Sequence, residues 1–172
     1  MKLVSVRKVS PYMQLLGTLY LILDKIRHHG LMAVEDDVEN PKESALFNAI
    51  NGYDQANEVV YTFMCDALRL MVCGNLNIED MQRYVDAYRK TSTLSDEQAA
   101  LFDCVRLTLI ATLNGNAPSI AVEHGRQGIL PEAKPTFQEL EDFIRSVKKG
   151  PEPTAENIKA RLKEFYASIG AE

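Results

Sequence analysis

Apolar side chains recur at helical spacing along almost the whole chain. Near the start, Leu15, Leu16, Leu19, Leu23 and Ile26 fall every few positions, as on the buried face of an amphipathic helix. Patterns of this kind predict seven helices, over residues 12–29, 59–73, 78–90, 96–113, 118–126, 137–149 and 155–168. No stretch alternates with the period of a strand, so we predict an all-α fold, a compact helical domain of about six to seven helices.

Residues that favour helix ends mark the boundaries of these segments. In a capping box, two side chains three residues apart bind each other's backbone N–H groups. Pairs with this spacing precede three helices: Asn77 with Asp80, Ser95 with Gln98, and Thr136 with Glu139. Thr154 is predicted to cap the last helix. Proline at helix starts and glycine or asparagine at helix ends serve backbone geometry, a role we assign to Pro11, Gly30, Asn40, Pro41, Gly74, Asn114, Gly115, Pro118 and Gly150.

The most apolar segments predict buried helices rather than membrane spans. A span needs about 18–20 nearly uninterrupted apolar residues. The run 15–23 is too short, and the run 59–73 carries Asp66 and Arg69. No signal peptide is expected at the basic start of the chain. We expect the core to include Leu68, Leu70, Met71, Val72, Val105, Leu109 and Leu113.

The charge balance and the cysteines narrow the class of protein. The 172-residue chain has a net charge of −5 and a sequence pI of about 5.3. This counts against nucleic-acid binding, because phosphate contacts need a concentrated basic patch. Cys65, Cys73 and Cys104 form no CxxC pair and predict a reducing compartment.

Motifs that carry catalysis or bind cofactors are absent from the sequence. It contains no HExxH, no GxSxG and no glycine-rich phosphate loop, the patterns that would indicate a metalloprotease, a hydrolase or a nucleotide site. His28 and His29 are adjacent, so on a helix their side chains point about 100° apart and do not face one metal ion easily. We predict a protein that is not an enzyme, with no cofactor, no metal site and no small-molecule substrate.

Three stretches together resemble one protein family. In the sequence they read RHHGLMAVEDDVENPKES over 27–44, CDALRLMVCGNLN over 65–77, LNGNAPSIAVEHGR over 113–126 and, completing the third, PTFQELE over 135–141. In this order they are similar to the MotA/PomA family of flagellar motor stator subunits, over roughly residues 12–90 and 95–148. The family usually has Tyr where Asn116 stands and Phe where His124 stands.

The resemblance implies a division of the chain. Residues 1–94 correspond to the family's cytoplasmic loop, 95–149 to its C-terminal cytoplasmic tail packed on that loop, and 150–172 to a linker and an extra terminal helix. The family's four membrane helices, two before the loop and two between loop and tail, have no visible counterpart here. We therefore expect a soluble version, made by engineered deletion of the spans, of a multi-pass protein whose loop and tail lie at the cytoplasmic face of the bacterial inner membrane.

The resemblance also implies a function. In the family, ion flow through the membrane part drives the cytoplasmic domain against the rotor switch protein FliG and generates torque for motility. Charged loop residues make the contact. Arg27 and Glu35 match the family's rotor-facing residues, Asp36 and Asp37 extend the acidic cluster, and Glu39 belongs to the Glu-Asn-Pro motif. We therefore expect opposite charges at one helical tip to bind the rotor.

Further partners follow from the same resemblance. The family assembles as a ring of five A subunits around two B subunits of the MotB/PomB type, so sister A subunits and B subunits are expected partners. Glu43 belongs to the motif of the first stretch and Arg69 to that of the second. Arg69, together with Asp66, either orders the core or faces a neighbouring subunit.

Other classes remain open on the sequence. An all-α adaptor or regulatory protein would have no motor role and would not bind FliG. A helical DNA-binding protein conflicts with the acidic balance, and a helical hydrolase lacks a nucleophile paired with a base. ExbB and TolQ share the family's pore-and-ring principle but not its rotor loop, and the Glu39-Asn40-Pro41 motif favours the flagellar branch.

Overall fold

The computed structural model describes residues 9–50, 53–74, 76–148 and 155–168, and every regular element in these ranges is a helix. In these ranges the elements are α1 (Pro11–His29), a 3-10 turn (Leu31–Val34), α2 (Glu35–Glu39), α3 (Ala45–Asn48), a second 3-10 turn (Gln55–Asn57), α4 (Glu58–Cys73), α5 (Ile78–Thr91), α6 (Asp96–Leu113), α7 (Pro118–Arg126), α8 (Phe137–Lys148) and α9 (Ala155–Ser168). The all-α prediction is confirmed. The seven longer helices match the predicted segments to within one residue at each end, whereas α2 and α3 are too short to leave a periodic pattern. The predicted cap at Thr154 lies outside the described residues.

Helix α1 forms the centre of the fold and packs against α6, α7 and α8. Tyr12 and every residue from Gln14 to Leu23 are buried, and Leu15, Leu16 and Ile22 are fully enclosed. A helix that is apolar around most of its circumference has to be covered on several sides, which explains why three helices surround it. Within the described ranges, no helix has both the length and the apolar character that a membrane crossing requires.

Helices α1, α6 and α7 approach closely because a glycine lies where they meet. A Cβ atom built on Gly125 would lie 2.8 Å from Leu16 Cδ2 and 2.9 Å from the Cys104 carbonyl oxygen, and it would also collide with Thr108 Oγ1. Distances this short are essentially never seen for real Cβ atoms. The bare backbone therefore lets α7 rest on both neighbours, and it brings the turn before α7 next to the end of α1.

Two of the three predicted capping boxes are confirmed. The Gln98 N–H donates to Ser95 Oγ (3.2 Å) while the Ser95 N–H donates to Gln98 Oε1 (3.1 Å). Thr136 and Glu139 exchange the same two bonds. Asn77 caps α5 through the Asp80 N–H (2.9 Å), but Asp80 accepts from the Asn77 side-chain amide rather than from its backbone. The predicted bond from the Asn77 backbone N–H to the Asp80 side chain is therefore wrong.

The predicted core is correct except at one position. Leu68, Met71, Val105 and Leu109 are buried, and Val72 and Leu113 pack partly buried against them. Leu70 is 36% exposed, so its assignment to the core is wrong. The reason is helical geometry: the buried residues of α4 include Val60, Met64, Ala67, Leu68 and Met71, which share one face at helical spacing, and Leu70 lies off that face.

Tyr61 is buried among aromatic rings and its hydroxyl group has no hydrogen-bond partner among the described residues. Its ring centroid lies 5.2 Å from that of Tyr53 and 6.3 Å from that of Phe47. Burial raises the pKa of Tyr61. The side chain thus stabilises the core through its ring, while its hydroxyl group opposes burial.

Replacing Tyr61 with phenylalanine is expected to raise the free energy of unfolding by about 1 kcal/mol, because it removes an unsatisfied polar group and keeps the ring. Urea denaturation measures the change. Tyr53→Phe is the matched control: Tyr53 is only partly buried, so the same substitution there removes no buried unsatisfied hydroxyl group and is expected not to raise stability. Destabilisation by Tyr61→Phe would contradict the assignment.

Candidate functional site

The end of α1 leads into the acidic segment through one short turn. Gly30 ends α1 with a φ of 85°, and its N–H donates to the Ile26 carbonyl oxygen (2.7 Å). Glycine adopts such a positive φ far more readily than other residues, as expected at a helix C-terminus. In the 3-10 turn that follows, Val34 is fully buried. Burial of Val34 therefore fixes the turn to the core, while the end of α1 and the start of α2 on either side of it are exposed.

Three charged side chains at this end of the molecule face the solvent. Arg27 lies in the last turn of α1, and Glu35 and Asp36 open α2; all three are exposed. A basic group near a helix C-terminus and acidic groups near a helix N-terminus also interact favourably with the backbone dipoles. We call Arg27, Glu35 and Asp36 the charged tip. Their exposure is what the predicted contact role requires, and that role stays a prediction.

Asp37, which we predicted to extend the acidic cluster that binds the rotor, is buried and does not belong to the charged tip. The residue is 8% exposed. Its Oδ2 accepts from Lys25 Nζ (2.7 Å) and its Oδ1 accepts from Ser44 Oγ (2.6 Å). Both carboxylate oxygens are thus engaged inside the fold, because the side chain points away from those of its exposed neighbours Glu35 and Asp36. These two contacts connect the acidic segment to α1 and to Ser44.

The Asn40-Pro41 motif forms a turn that presents Ser44 to Asp37. Asn40 ends α2, and its carbonyl oxygen accepts from the N–H groups of Glu43 and Ser44 (both 3.0 Å). Ser44 Oγ also accepts from the Leu46 N–H (3.1 Å) and so caps α3. The Glu43 side chain is exposed. Asn40 and Ser44 of this motif therefore make hydrogen bonds within the local structure.

Arg69 fastens α2 to α4. Its guanidinium donates to Glu39 Oε1 (3.0 Å), to Asp66 Oδ1 (2.8 Å) and to the Val38 carbonyl oxygen (2.9 Å). Partial burial works to lower the pKa of Arg69, but the carboxylates of Glu39 and Asp66 outweigh it and raise the pKa above its usual value. Of the two roles left open for Arg69, these contacts support the one within the domain. Glu39 is exposed but already holds this internal ion pair.

An open groove of about 380 Å³ lies beside Arg27. Leu23, Ile26 and Arg27 of α1 form one side, and Thr112 with the turn 115–118 forms the other. In that turn Gly115 has a φ of 83°, and the buried Pro118 starts α7. The fold therefore brings Arg27 together with the turn 115–118, although the two are far apart in the sequence.

The described part of the chain holds no candidate metal cluster, and two of its three cysteines are buried. No group of three His, Cys, Asp or Glu side chains there is placed to bind a metal ion. His28 Nδ1 lies 2.8 Å from the Asp24 carbonyl oxygen, a contact within the same helix. Burial raises the pKa of Cys65 and of Cys104 to about 12, so both thiols stay protonated and unreactive near neutral pH.

Two residues that position the charged tip were missed in the sequence. Lys25 sits on α1 twelve positions before Asp37, and no local pattern links the two. Ser44 carried a readable signal, because serine directly before a short apolar run is typical of a helix N-cap. Its second bond, to Asp37, could not have been predicted without the fold.

Comparisons with known proteins give two relatives of interest. The chain is 27% identical over 215 residues to Motility protein A of Salmonella typhimurium, covering 81% of this chain and 72% of that protein. It is 26% identical over 219 residues to Motility protein A of Escherichia coli, covering 83% of this chain and 73% of that protein. Both matched regions are longer than the 172 residues of this chain, so the relatives contain residues without a counterpart here. No family model matches the chain, and no solved structure matches it.

Proposed function

Given that this chain is a homologue of Motility protein A, we propose that it is the cytoplasmic part of a flagellar motor stator subunit and that its charged tip contacts the rotor protein FliG. The observation that carries the proposal is the separation of roles within one acidic segment. Glu35 and Asp36 face the solvent, while Asp37 and Glu39 hold the segment in place through Lys25, Ser44 and Arg69. Exposed charges on a fixed support are what a transient protein contact needs.

The physics of exposed charges suits a contact that forms and breaks repeatedly. Charges at the rim of an interface increase the encounter rate and select the partner, and they add little to lasting affinity. Arg27 and Glu35 carry opposite charges on the two sides of one turn. The proposed partner surface therefore offers an acidic group to Arg27 and a basic group to Glu35 and Asp36.

The rest of the assembly follows from the homology as part of the same proposal. Residues 1–94 would form the loop region and 95–149 the tail, a division supported by the packing of α1 against α6, α7 and α8. The residues that the relatives have in excess would include the membrane spans. In the complete stator, the chain would act at the cytoplasmic face of the inner membrane with sister A subunits and a MotB/PomB-type B subunit, in response to ion flow. The proposal assigns it no catalytic step.

Charge reversal at the tip is expected to weaken binding to FliG. Arg27→Glu or Glu35→Lys should each raise the Kd about tenfold at low salt, mainly through a slower association rate. The difference should shrink at about 0.5 M salt, where charges on the surface are screened. Binding kinetics with purified FliG at several salt concentrations measure both effects. In the complete subunit, the same substitutions should impair swimming.

Control variants with the same change of charge are available on α5. The side chains of Arg83 and Glu79 are 73% and 81% exposed, and α5 packs on α6. Arg83→Glu and Glu79→Lys alter the net charge by as much as the tip variants, and their Kd values should stay within about twofold of the unmodified chain. If the unmodified chain does not bind FliG at any salt concentration, the proposed rotor contact fails and an all-α adaptor without a motor role becomes the better assignment.

A further inference from the structure

Met32 is the most exposed of the large apolar side chains in the described part of the chain. Its exposed fraction is 63%, against 36% for Leu31 and 54% for Phe137. A single exposed apolar residue is common on protein surfaces and by itself means little. What distinguishes Met32 is its place, between the charged residues Arg27 and Glu35.

The backbone holds Met32 in this exposed position. The Ala33 N–H donates to the Gly30 carbonyl oxygen (3.2 Å), and the Glu35 N–H donates to the Met32 carbonyl oxygen. In a 3-10 turn, residues three apart share a face, so Leu31 lies on the side of the fully buried Val34. Met32 is directed elsewhere, and burial of Val34 keeps the turn from rotating. The exposure of Met32 thus follows from the fold.

The arrangement resembles half of a small protein interface. Such interfaces place an apolar anchor at the centre and charged groups around it, and methionine is enriched at them because its flexible, polarisable side chain fits pockets of irregular shape. Here exposed Arg27 precedes Met32 in the chain, and exposed Glu35 and Asp36 follow it. This charge pattern complements a pocket bordered by an acidic group and a basic group.

We propose that Met32 is the apolar anchor of the rotor contact and inserts into a pocket on FliG whose border carries charges opposite to those of the charged tip. This inference rests on the proposed function and deepens it. Steering by Arg27 and Glu35 sets how fast the two proteins meet, and burial of Met32 sets how long they stay together. The two contributions are separable, because salt screens charges but does not weaken apolar burial.

The test compares Met32→Ala, Met32→Leu and Phe137→Ala in binding kinetics with FliG at low and high salt. Met32→Ala should raise the Kd about tenfold, through faster dissociation, with the salt dependence of the unmodified chain. Met32→Leu keeps the apolar volume and should bind within about twofold. All three variants change exposed side chains, and their urea unfolding curves should overlay that of the unmodified chain.

Phe137→Ala is the matched control because it removes a larger exposed apolar group at a distance from the tip. Phe137 starts α8, and Lys148, at the other end of that helix, lines a groove with Asp24 and His28. At 1.5 Å per residue the helix separates the two ends by roughly 16 Å. Phe137→Ala should therefore bind FliG within about twofold of the unmodified chain.

The outcomes separate the two proposals. If the unmodified chain binds FliG and Met32→Ala binds equally well, or if Phe137→Ala weakens binding as much, the anchor role of Met32 is wrong and the rotor contact stands. If Met32→Ala acts only on association, in a manner that salt removes, the anchor role is also wrong. If the unmodified chain does not bind, the proposed function fails and the anchor fails with it.

Discussion

Gly125→Ala is expected to lower the free energy of unfolding by about 3 kcal/mol. The new methyl group would meet Leu16 Cδ2 at 2.8 Å and the Cys104 carbonyl oxygen at 2.9 Å, and it would collide with Thr108 Oγ1. Side chains can rotate away, but the Cys104 carbonyl belongs to the backbone of α6, so α7 itself has to shift. Overpacking of this kind typically costs about 1–3 kcal/mol, and here it affects the junction of three helices. Urea denaturation gives the value.

A substitution at a second glycine, Gly30, separates the steric from the conformational cause of the stability loss. In a helix, glycine to alanine by itself favours folding by about 1 kcal/mol, so any loss at position 125 has to come from the contacts. Gly30→Ala is the control: its φ is 85° and a Cβ there would meet no atom within 4 Å. That variant should lose only about 1 kcal/mol, from backbone strain. Equal losses at the two positions would argue against the close packing of α7.

Removal of the Asp37 side chain is expected to cost about 2–3 kcal/mol. Asp37→Ala breaks the bond from Lys25 Nζ (2.7 Å) and the bond from Ser44 Oγ (2.6 Å). Hydrogen bonds to charged groups contribute about 1.5–3 kcal/mol, and part of the loss is recovered because the Lys25 side chain is 34% exposed and can be hydrated. Thermal and urea unfolding measure the change. The same variant should also weaken FliG binding, since it frees the segment that carries Glu35.

The adjacent residue provides the control for Asp37. Asp36→Ala removes the same charge at the neighbouring position, which is exposed. Its effect on the free energy of unfolding should lie within about 0.5 kcal/mol. Asp37→Asn should fall between the two, because its amide oxygen can still accept from Ser44 while the charge that pairs with Lys25 is lost. If Asp36→Ala and Asp37→Ala cost the same, the structural role of Asp37 is wrong.

The sequence was sufficient to predict the helices that carry local signals. Ser95 with Gln98 and Pro118 define the starts of α6 and α7 to the residue, because capping and proline geometry act within one turn of the chain. Leu70 shows where periodicity was applied too loosely, since it lies off the apolar face that its neighbours define.

The candidate site could be predicted only in part. The position of Arg27 in a last helical turn followed by Gly30 indicated an exposed end. The division of the acidic segment into an exposed tip and a buried Asp37 depends on contacts with Lys25 and Ser44, twelve and seven residues away. Such contacts arise from the way α1, α2 and α3 pack, and no local pattern of charges encodes them. For the same reason the exposure of Met32 was not foreseen.

The ion pair between Lys25 and Asp37 closes a ring, because the same two residues are also connected by the chain that runs through Gly30. A force applied at Glu35 therefore reaches α1 by two routes, along the backbone and across the pair. We therefore expect the segment to follow a movement of the helix instead of bending at the turn. Since α1 packs against α6, α7 and α8, we expect a load on the segment to be shared with these three helices.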